Sequence, residues 1–323
     1  MAKKINCPSN LNLTWLQYVS VVDFDAQELG EGKEYISLFV DMSKVTFCTP
    51  AGLCGLHEMI RSHPHQGLIF VNHPEKSDTY QYLQRMDFYD NLQIFKDKNF
   101  VCHSASGRFK EMTLIAKDIQ PRSSVVNNLC KEIACVVAPD DRDFQDFLLF
   151  CIGEMINNVI QHSHSTGITC AQFYPKTNEI EVAIADHGRG IKAGLKDNPQ
   201  FYSLESDLDA LEIATQPDTS GTFDSSSEPY AIKMNSGNGL YYLKKIIEKS
   251  HGHLDIFSHS AHYYQNGNQP ITIKLSRCFA GTLVVFRLNR DYTSTLQEIL
   301  REIREETSTA QQTTSDLSDI QFE

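Results

Sequence analysis

The chain has 323 residues, 41% of them hydrophobic and 22% charged, with a formal net charge of -12 at neutral pH. That length favours two domains over one core, and the composition is that of an ordinary globular protein. The acidic balance excludes a general nucleic-acid binder, which needs a basic face, and no apolar run approaches the ~20 residues that cross a bilayer.

The opening Met1-Ala-Lys-Lys-Ile-Asn has two lysines but no apolar stretch behind them, so it does not read as a signal peptide. Tyr35–Val40 reads as a buried strand ending at Asp41, Ala51–Ile60 as a helix, Gly67–Val71 as a second strand and Tyr80–Met86 as a second helix. That alternation predicts a small α/β domain. The small, polar stretch Cys102–Gly107 marks a linker. Beyond it come a strand at Met112–Ala116, helices at Ser123–Val137 and from Asp143 to His162, and strands at Ile168–Tyr174 and Ile180–Ala185. A polar stretch from Lys192 to Asn238 holds Pro199, Pro217 and Pro229, with one short helix expected at Ser206–Thr215. A helix at Leu240–Lys249 follows, then strands at Leu254–Phe257, Ile271–Leu275 and Thr282–Leu288, a charged helix at Leu296–Glu306, and a tail of disordered composition.

The nine cysteines are scattered without a C-x-x-C pair. Cys130 and Cys135 have nearby histidines but no second ligand pair at zinc spacing, and the thiols read as small hydrophobes. A cytoplasmic location is expected.

Chemistry concentrates in the second half. On the helix ending at His162, Leu148, Ile152, Met155 and Val159 form an apolar stripe, while Glu154, Asn158 and His162 recur every four residues on another face. A carboxylate one turn from an amide oxygen suits a hydrated Mg²⁺, which takes few protein ligands; the same pattern also describes a solvated helix face. The strand ending at Asp186 runs into Asp186-His-Gly-Arg-Gly-Ile191. An Asp at a strand end accepts a hydrogen bond from an exocyclic amine, and glycines let the backbone approach a flat base; a tight turn would look alike. Asn235-Ser-Gly-Asn-Gly-Leu240 precedes a helix and offers free N–H groups to phosphate. Gly281-Thr282 opens the last strand.

The ordered set E-x-x-x-N, D-x-G-x-G, G-x-G-L and terminal G-T resembles the Bergerat nucleotide fold of the GHKL superfamily, which includes DNA gyrase, histidine kinases, mismatch-repair ATPases and anti-sigma-factor kinases. The resemblance covers roughly residues 107 to 290. It implies a mixed sheet covered by helices on one face, binding ATP or ADP with Mg²⁺. Asn158 would hold the metal, Glu154 would be the catalytic general base, and Asp186 would accept the adenine amine in a pocket shaped by Gly188 and Gly190. Ser236, Gly237, Asn238, Gly239 and Leu240 would close on the phosphates, and Thr282 would lie near adenine. Asn157 is a weaker ligand candidate, His162 is polar or structural, and Arg189 is expected to face solvent. The stretch 192–238 would be a nucleotide-dependent lid.

Residues 40 to 56, Val-Asp-Met-Ser-Lys-Val-Thr-Phe-Cys-Thr-Pro-Ala-Gly-Leu-Cys-Gly-Leu, and the later Tyr82–Phe88 resemble STAS domains, the antagonist partners of anti-sigma kinases. The family's phosphorylated serine position is held here by Pro50, and the adjacent Thr49 reads as part of a Thr-Pro turn. The expected organisation is therefore an α/β (α+β) chain in which a STAS-like docking domain (1–105) is held beside a GHKL ATP-binding domain (106–292), followed by a charged helix and tail (293–323). A self-phosphorylating histidine kinase is excluded, since His57-Glu58 lacks that family's proline spacing. Three functions remain open: ATP-dependent regulation of a protein partner, STAS-like or regulatory, with phosphoryl transfer to its Ser or Thr; a slow ATPase switch of conformation or oligomeric state, such as a homodimer; and a non-catalytic nucleotide sensor. No nucleic acid or membrane partner is expected.

Overall fold

The structure, a computed structural model, describes residues 2–19, 21–24, 36–63, 68–94, 98, 100–101, 104–221, 238–292 and 294–306. Short aliphatic runs build the first sheet: β1 (Ala2–Asn6), β3 (Val21–Phe24), β4 (Ile36–Asp41) and β6 (Leu68–Asn72), in the order β3-β1-β4-β6. β1 pairs antiparallel with β3 and parallel with β4, which pairs parallel with β6. A small ladder joins β2 (Asn10–Leu11) to β5 (Phe47–Cys48), and helices α1 (Leu13–Tyr18), α2 (Pro50–Ser62), α3 (Ser77–Arg85) and α4 (Phe88–Asn91) complete this half. Sequence reasoning passed over β1, β3 and α1. These are short edge or amphipathic pieces, and the lysines at 3 and 4 dilute the apolar signal of β1.

The second half runs β7 (Phe109–Ile115), α5 (Ser124–Val137), α6 (Arg142–Asn158), β8 (Gly167–Tyr174), β9 (Glu179–Asp186), α7 (Gly190–Leu195), α8 (Asp207–Ala214), α9 (Gly239–Lys249), β10 (His253–Asn266), β11 (Gln269–Asn289) and α10 at 296–306. The helices begin at side-chain caps: Ser123 accepts from Val126 N, Asp141 from Phe144 N, and Ser206 from Leu208 N and Asp209 N. α6 ends in a π-helical turn, Val159–Ser163, stopped by His164 in the left-handed region.

The sheet order is β10-β11-β9-β8-β7, and every pair is antiparallel. This corrects the expectation of a mixed sheet. Hairpins β8–β9 and β10–β11 force antiparallel pairing, and the long helical connections return β8 and β11 opposite in sense to their neighbours β7 and β9. The strands expected at 271–275 and 282–288 are one continuous β11, pairing along its length with β10 and carried past a bulge near His259.

One face of this sheet packs Ala171, Val182, Ile184 and Phe286 against Ile133, Leu148, Ile152 and Ile246 of α5, α6 and α9. α10, the helix expected from its charged sequence, joins that core through buried Ile299 and Ile303. The opposite face is not bare. Cys170, Ala183, Ala185, Leu283 and Val285 share a second core with Leu53, Cys54 and Leu56 of α2 and with Leu38 and Val40 of β4. So the first half is fused to the back of the second half's sheet.

The docking has a polar anchor at the α2 N-terminus. Thr49 caps the helix, and the free N–H of Ala51 donates to Glu181 Oε1 of β9 (2.9 Å). Glu181 is only 1% exposed and also accepts from Arg287 Nε of β11 (2.8 Å). A helix N-terminus attracts an anion, and a buried carboxylate needs donors on both oxygens. Thr49 itself is buried, its hydroxyl accepting from Gly52 N. Glu181→Ala is expected to cost roughly 3 kcal/mol in urea unfolding, the lower end for breaking a buried pair because Arg287 keeps some solvent access. A loss below ~1 kcal/mol would show that α2 docks through apolar contacts alone.

Candidate functional site

β9 obeys strict alternation. Ile180, Val182 and Ile184 point into the helix-side core, whereas Ala183 and Ala185 point into the back core. The next residue in the first series is Asp186, and its carboxyl enters a cleft on the helix side. The floor is Ile184 with Val284 and Thr282 of β11. One wall is Met155, Asn158, Val159, His162 and Ser163, and the other is Ile191, Gly194, Leu195, Ala214 and Thr219–Gly221, with Gly239 and Leu240 of α9 closing one end. Its empty space, including the part open to solvent, is about 800 Å³, within the range of small-molecule sites.

Asp186 is 4% exposed and accepts a hydrogen bond from Gly188 N (2.8 Å). Burial pushes its pKa up to about 7; the Gly188 N–H opposes the rise and the nearby Glu58 carboxylate adds to it. Gly188 has no alternative: a Cβ there would stand 2.1 Å from Ser163 O. Contact with the π-helical turn thus fixes the D-x-G motif, and Arg189 reinforces it by donating from N to Ser163 O (3.2 Å) and from Nε to His162 O (2.8 Å). The expectation that Arg189 faces solvent is corrected, since its guanidinium also pairs with Asp197. Gly190 lines the cleft at positive φ and starts α7.

Asn158 lines the cleft, and among the described residues its side chain makes only a 4.0 Å contact to Met155 Sδ. Asn157, 100° around the helix, is buried and accepts from Arg122 N (2.9 Å), so it is a loop anchor and not a ligand. Glu154 sits one turn before Asn158, half-buried beside the cleft, its pKa raised by burial against the pull of Arg122. Gly239 is the close approach: a Cβ there would stand 2.8 Å from Glu154 Oε2 and 3.6 Å from Asn158 Nδ2. The N-terminus of α9 therefore abuts the Glu154–Asn158 face, and the side chain of its N-cap residue, Asn238, makes no capping hydrogen bond. Asn238 is instead tied to Asp218, accepting from its backbone N (2.5 Å). Ser236 and Gly237 lie outside the described residues.

Sequence reasoning missed the apolar walls, His162's neighbour Ser163, and α7, whereas the short helix expected at Ser206–Thr215 is α8. Burial and the Arg189 cation lower the pKa of His162, which faces the cleft. α7 and α8 are a fixed wall: Asp207 accepts from Ser260 Oγ (2.6 Å) of β10 and pairs with Lys192 (2.9 Å). α7 is only six residues long and opens on a glycine, so it leaves too short a helical period to read. Residues 222–237 of the expected lid lie outside the described residues.

No family model matches the chain, and no curated protein is significantly similar to it. Among the described residues no three His, Cys, Asp or Glu side chains gather as a metal-binding group, and no helix is long and apolar enough to cross a membrane.

The raised pKa of Asp186 means the folded state holds a proton that the unfolded chain loses between pH 3.8 and about 7. This carboxyl's contribution to stability is therefore full below pH 3.8 and lost as pH rises through about 7. Asp186→Asn is expected to stabilise the fold at pH 8, by ~4 kcal/mol at most at about 1.4 kcal/mol per pH unit, with the gain fading toward pH 4. Denaturant unfolding at both pH values checks this; destabilisation at pH 8 would show the charge to be compensated.

Proposed function

We propose that the cleft binds Mg·ATP or Mg·ADP, and that the chain is a cytoplasmic signalling protein of the GHKL type with a STAS-like docking domain at residues 1–105. The observation that carries this reading is the aspartate: a nearly fully buried acceptor at a strand end, aimed into an apolar cleft whose end is a helix N-terminus that its own N-cap side chain leaves open. A flat heterocycle with an exocyclic amine and an anionic tail fits those two poles. Supporting it, three of the four sequence elements converge on the cleft through Asn158, Asp186 and Thr282, and Gly239 and Leu240 bring the described part of the fourth.

In this reading Asp186 accepts the adenine amine, while Ile184, Val284, Met155 and Ile191 exclude water from the base. The first-turn N–H groups of α9 face the phosphates. Asn158 would hold a magnesium ion, whose chemistry is to neutralise charge on phosphate oxygens while keeping most of its waters. The donor set fits such an ion, which needs only one or two protein oxygens. Glu154 stands beside the same glycine, and its raised pKa brings a carboxylate closer to the working pH of a general base. It takes the proton from an incoming hydroxyl, that of a partner's Ser or Thr. Thr49 is closed off under the α2 N-terminus, which favours an acceptor on a separate protein. With water in place of that hydroxyl the same residue would give slow hydrolysis.

Gly239→Ala is expected to weaken Mg·ATP binding about tenfold or more, equivalent to ~1.4 kcal/mol, in equilibrium titration. Glu154→Ala should keep binding within a few-fold while losing ~100-fold or more of any transfer or turnover from γ-labelled ATP. Undiminished affinity in the first variant would place the phosphates elsewhere, and undiminished turnover in the second would remove Glu154 from the chemistry.

A further inference from the structure

Alternation along β9 has a second consequence. Asp186 faces the cleft, so the following residue, His187, faces the back of the sheet, where α2 lies. There Glu58 of α2, 1% exposed, is held by two imidazoles: His57 Nδ1 at 2.7 Å on one oxygen and His187 Nδ1 at 2.5 Å on the other. A carboxylate only accepts, so both Nδ1 atoms carry protons and donate, and the two histidines hold Glu58 ionised below the ordinary carboxylate range despite its burial. His57 is itself buried, its Nε2 3.4 Å from Asn91 O at the end of α4.

The position of His187 gives this network its significance. Its backbone is the link between Asp186 and Gly188, the two ends of the 2.8 Å hydrogen bond that aims the Asp186 carboxylate. On its other side the link meets Gly281, whose added Cβ would stand 2.7 Å from His187 Cα. Glu58 is the only contact to this turn from the first half of the chain among the polar bonds of the described residues.

We propose that Glu58 and His187 are positioning residues of the nucleotide site, so that the STAS-like half of the chain, through α2, sets the aim of the carboxylate that recognises adenine. This rests on the nucleotide reading above. Release of α2, by a partner that competes for its docked face, would free His187 and loosen the base end of the site while leaving the phosphate end at Gly239 intact. The first half is thereby a built-in effector of base recognition as well as a docking module.

The test uses the full chain in four forms: wild type, Glu58→Gln, His187→Asn and the double variant, with Leu56→Ala as a control that removes buried core packing while leaving the Glu58–His187 contact in place. Hydrogen exchange at the Gly188 amide, measured without nucleotide, is expected to quicken about tenfold in Glu58→Gln, as a ~1.4 kcal/mol loss requires. Mg·ATP affinity should fall about tenfold in either single variant and no further in the double, with Mg·tripolyphosphate affinity unchanged. An unchanged Gly188 exchange rate in Glu58→Gln overturns the inference, as does an equal loss of ATP affinity in Leu56→Ala. Faster Gly188 exchange in a chain that binds no nucleotide would uphold the clamp and refute the nucleotide reading instead.

Discussion

The two-sidedness of β9 is the constraint on which the rest of the molecule depends. One strand, paired on both edges, carries Ile184 and Asp186 toward the helices and Glu181, Ala183 and Ala185 toward α2. Because the side-chain period of a strand is two, neither set can shift without the other. The carboxylate of Glu181 anchors the first half of the chain, and that of Asp186 furnishes the cleft. Small residues at 183 and 185 let a helix lie directly on the sheet. The consequence is a pair of cores sharing one sheet as their partition.

That partition explains why burial is uneven in its costs. Glu181 and Glu58 are buried but answered by donors on both oxygens. Asp186 is buried with a backbone N–H to Oδ1, and its pKa rises accordingly. A buried carboxyl with a raised pKa beside an apolar cleft is a stability liability, and in the proposed reading it serves nucleotide binding, in line with the general conflict between stable and active sites. The same contrast separates Asn157, used up in anchoring the loop at Arg122, from Asn158 one residue on, which faces the cleft.

Much of this was legible in the sequence. The helix spacing of Glu154 and Asn158, the strand ending at Asp186 and the glycine that opens α9 were readable because each depends on local period or on glycine's missing side chain. The helices expected at Ser123–Val137 and Ser206–Thr215 were readable from local pattern as well. What escaped was non-local. The antiparallel order of the second sheet is a matter of how helical connections return, and the fused β11 depends on its pairing with β10. The buried face of α10 rests on Ile299 and Ile303, two residues among charges. Nor could spacing show that His57-Glu58, visible only as a pair that failed the histidine-kinase pattern, lies against the residue after Asp186. Arg189 was misplaced for a similar reason: its acceptors, His162 O and Asp197, come from other turns of the chain.

The most direct test of the central claim is a crystal structure of the full chain with magnesium and a non-hydrolysable ATP analogue. The account predicts the base between the β9–β11 floor and α7, its exocyclic amine on the Asp186 carboxylate, with the phosphates at the N-terminus of α9 beside Asn158. Nucleotide bound elsewhere, or a cleft still empty at millimolar analogue, would contradict it.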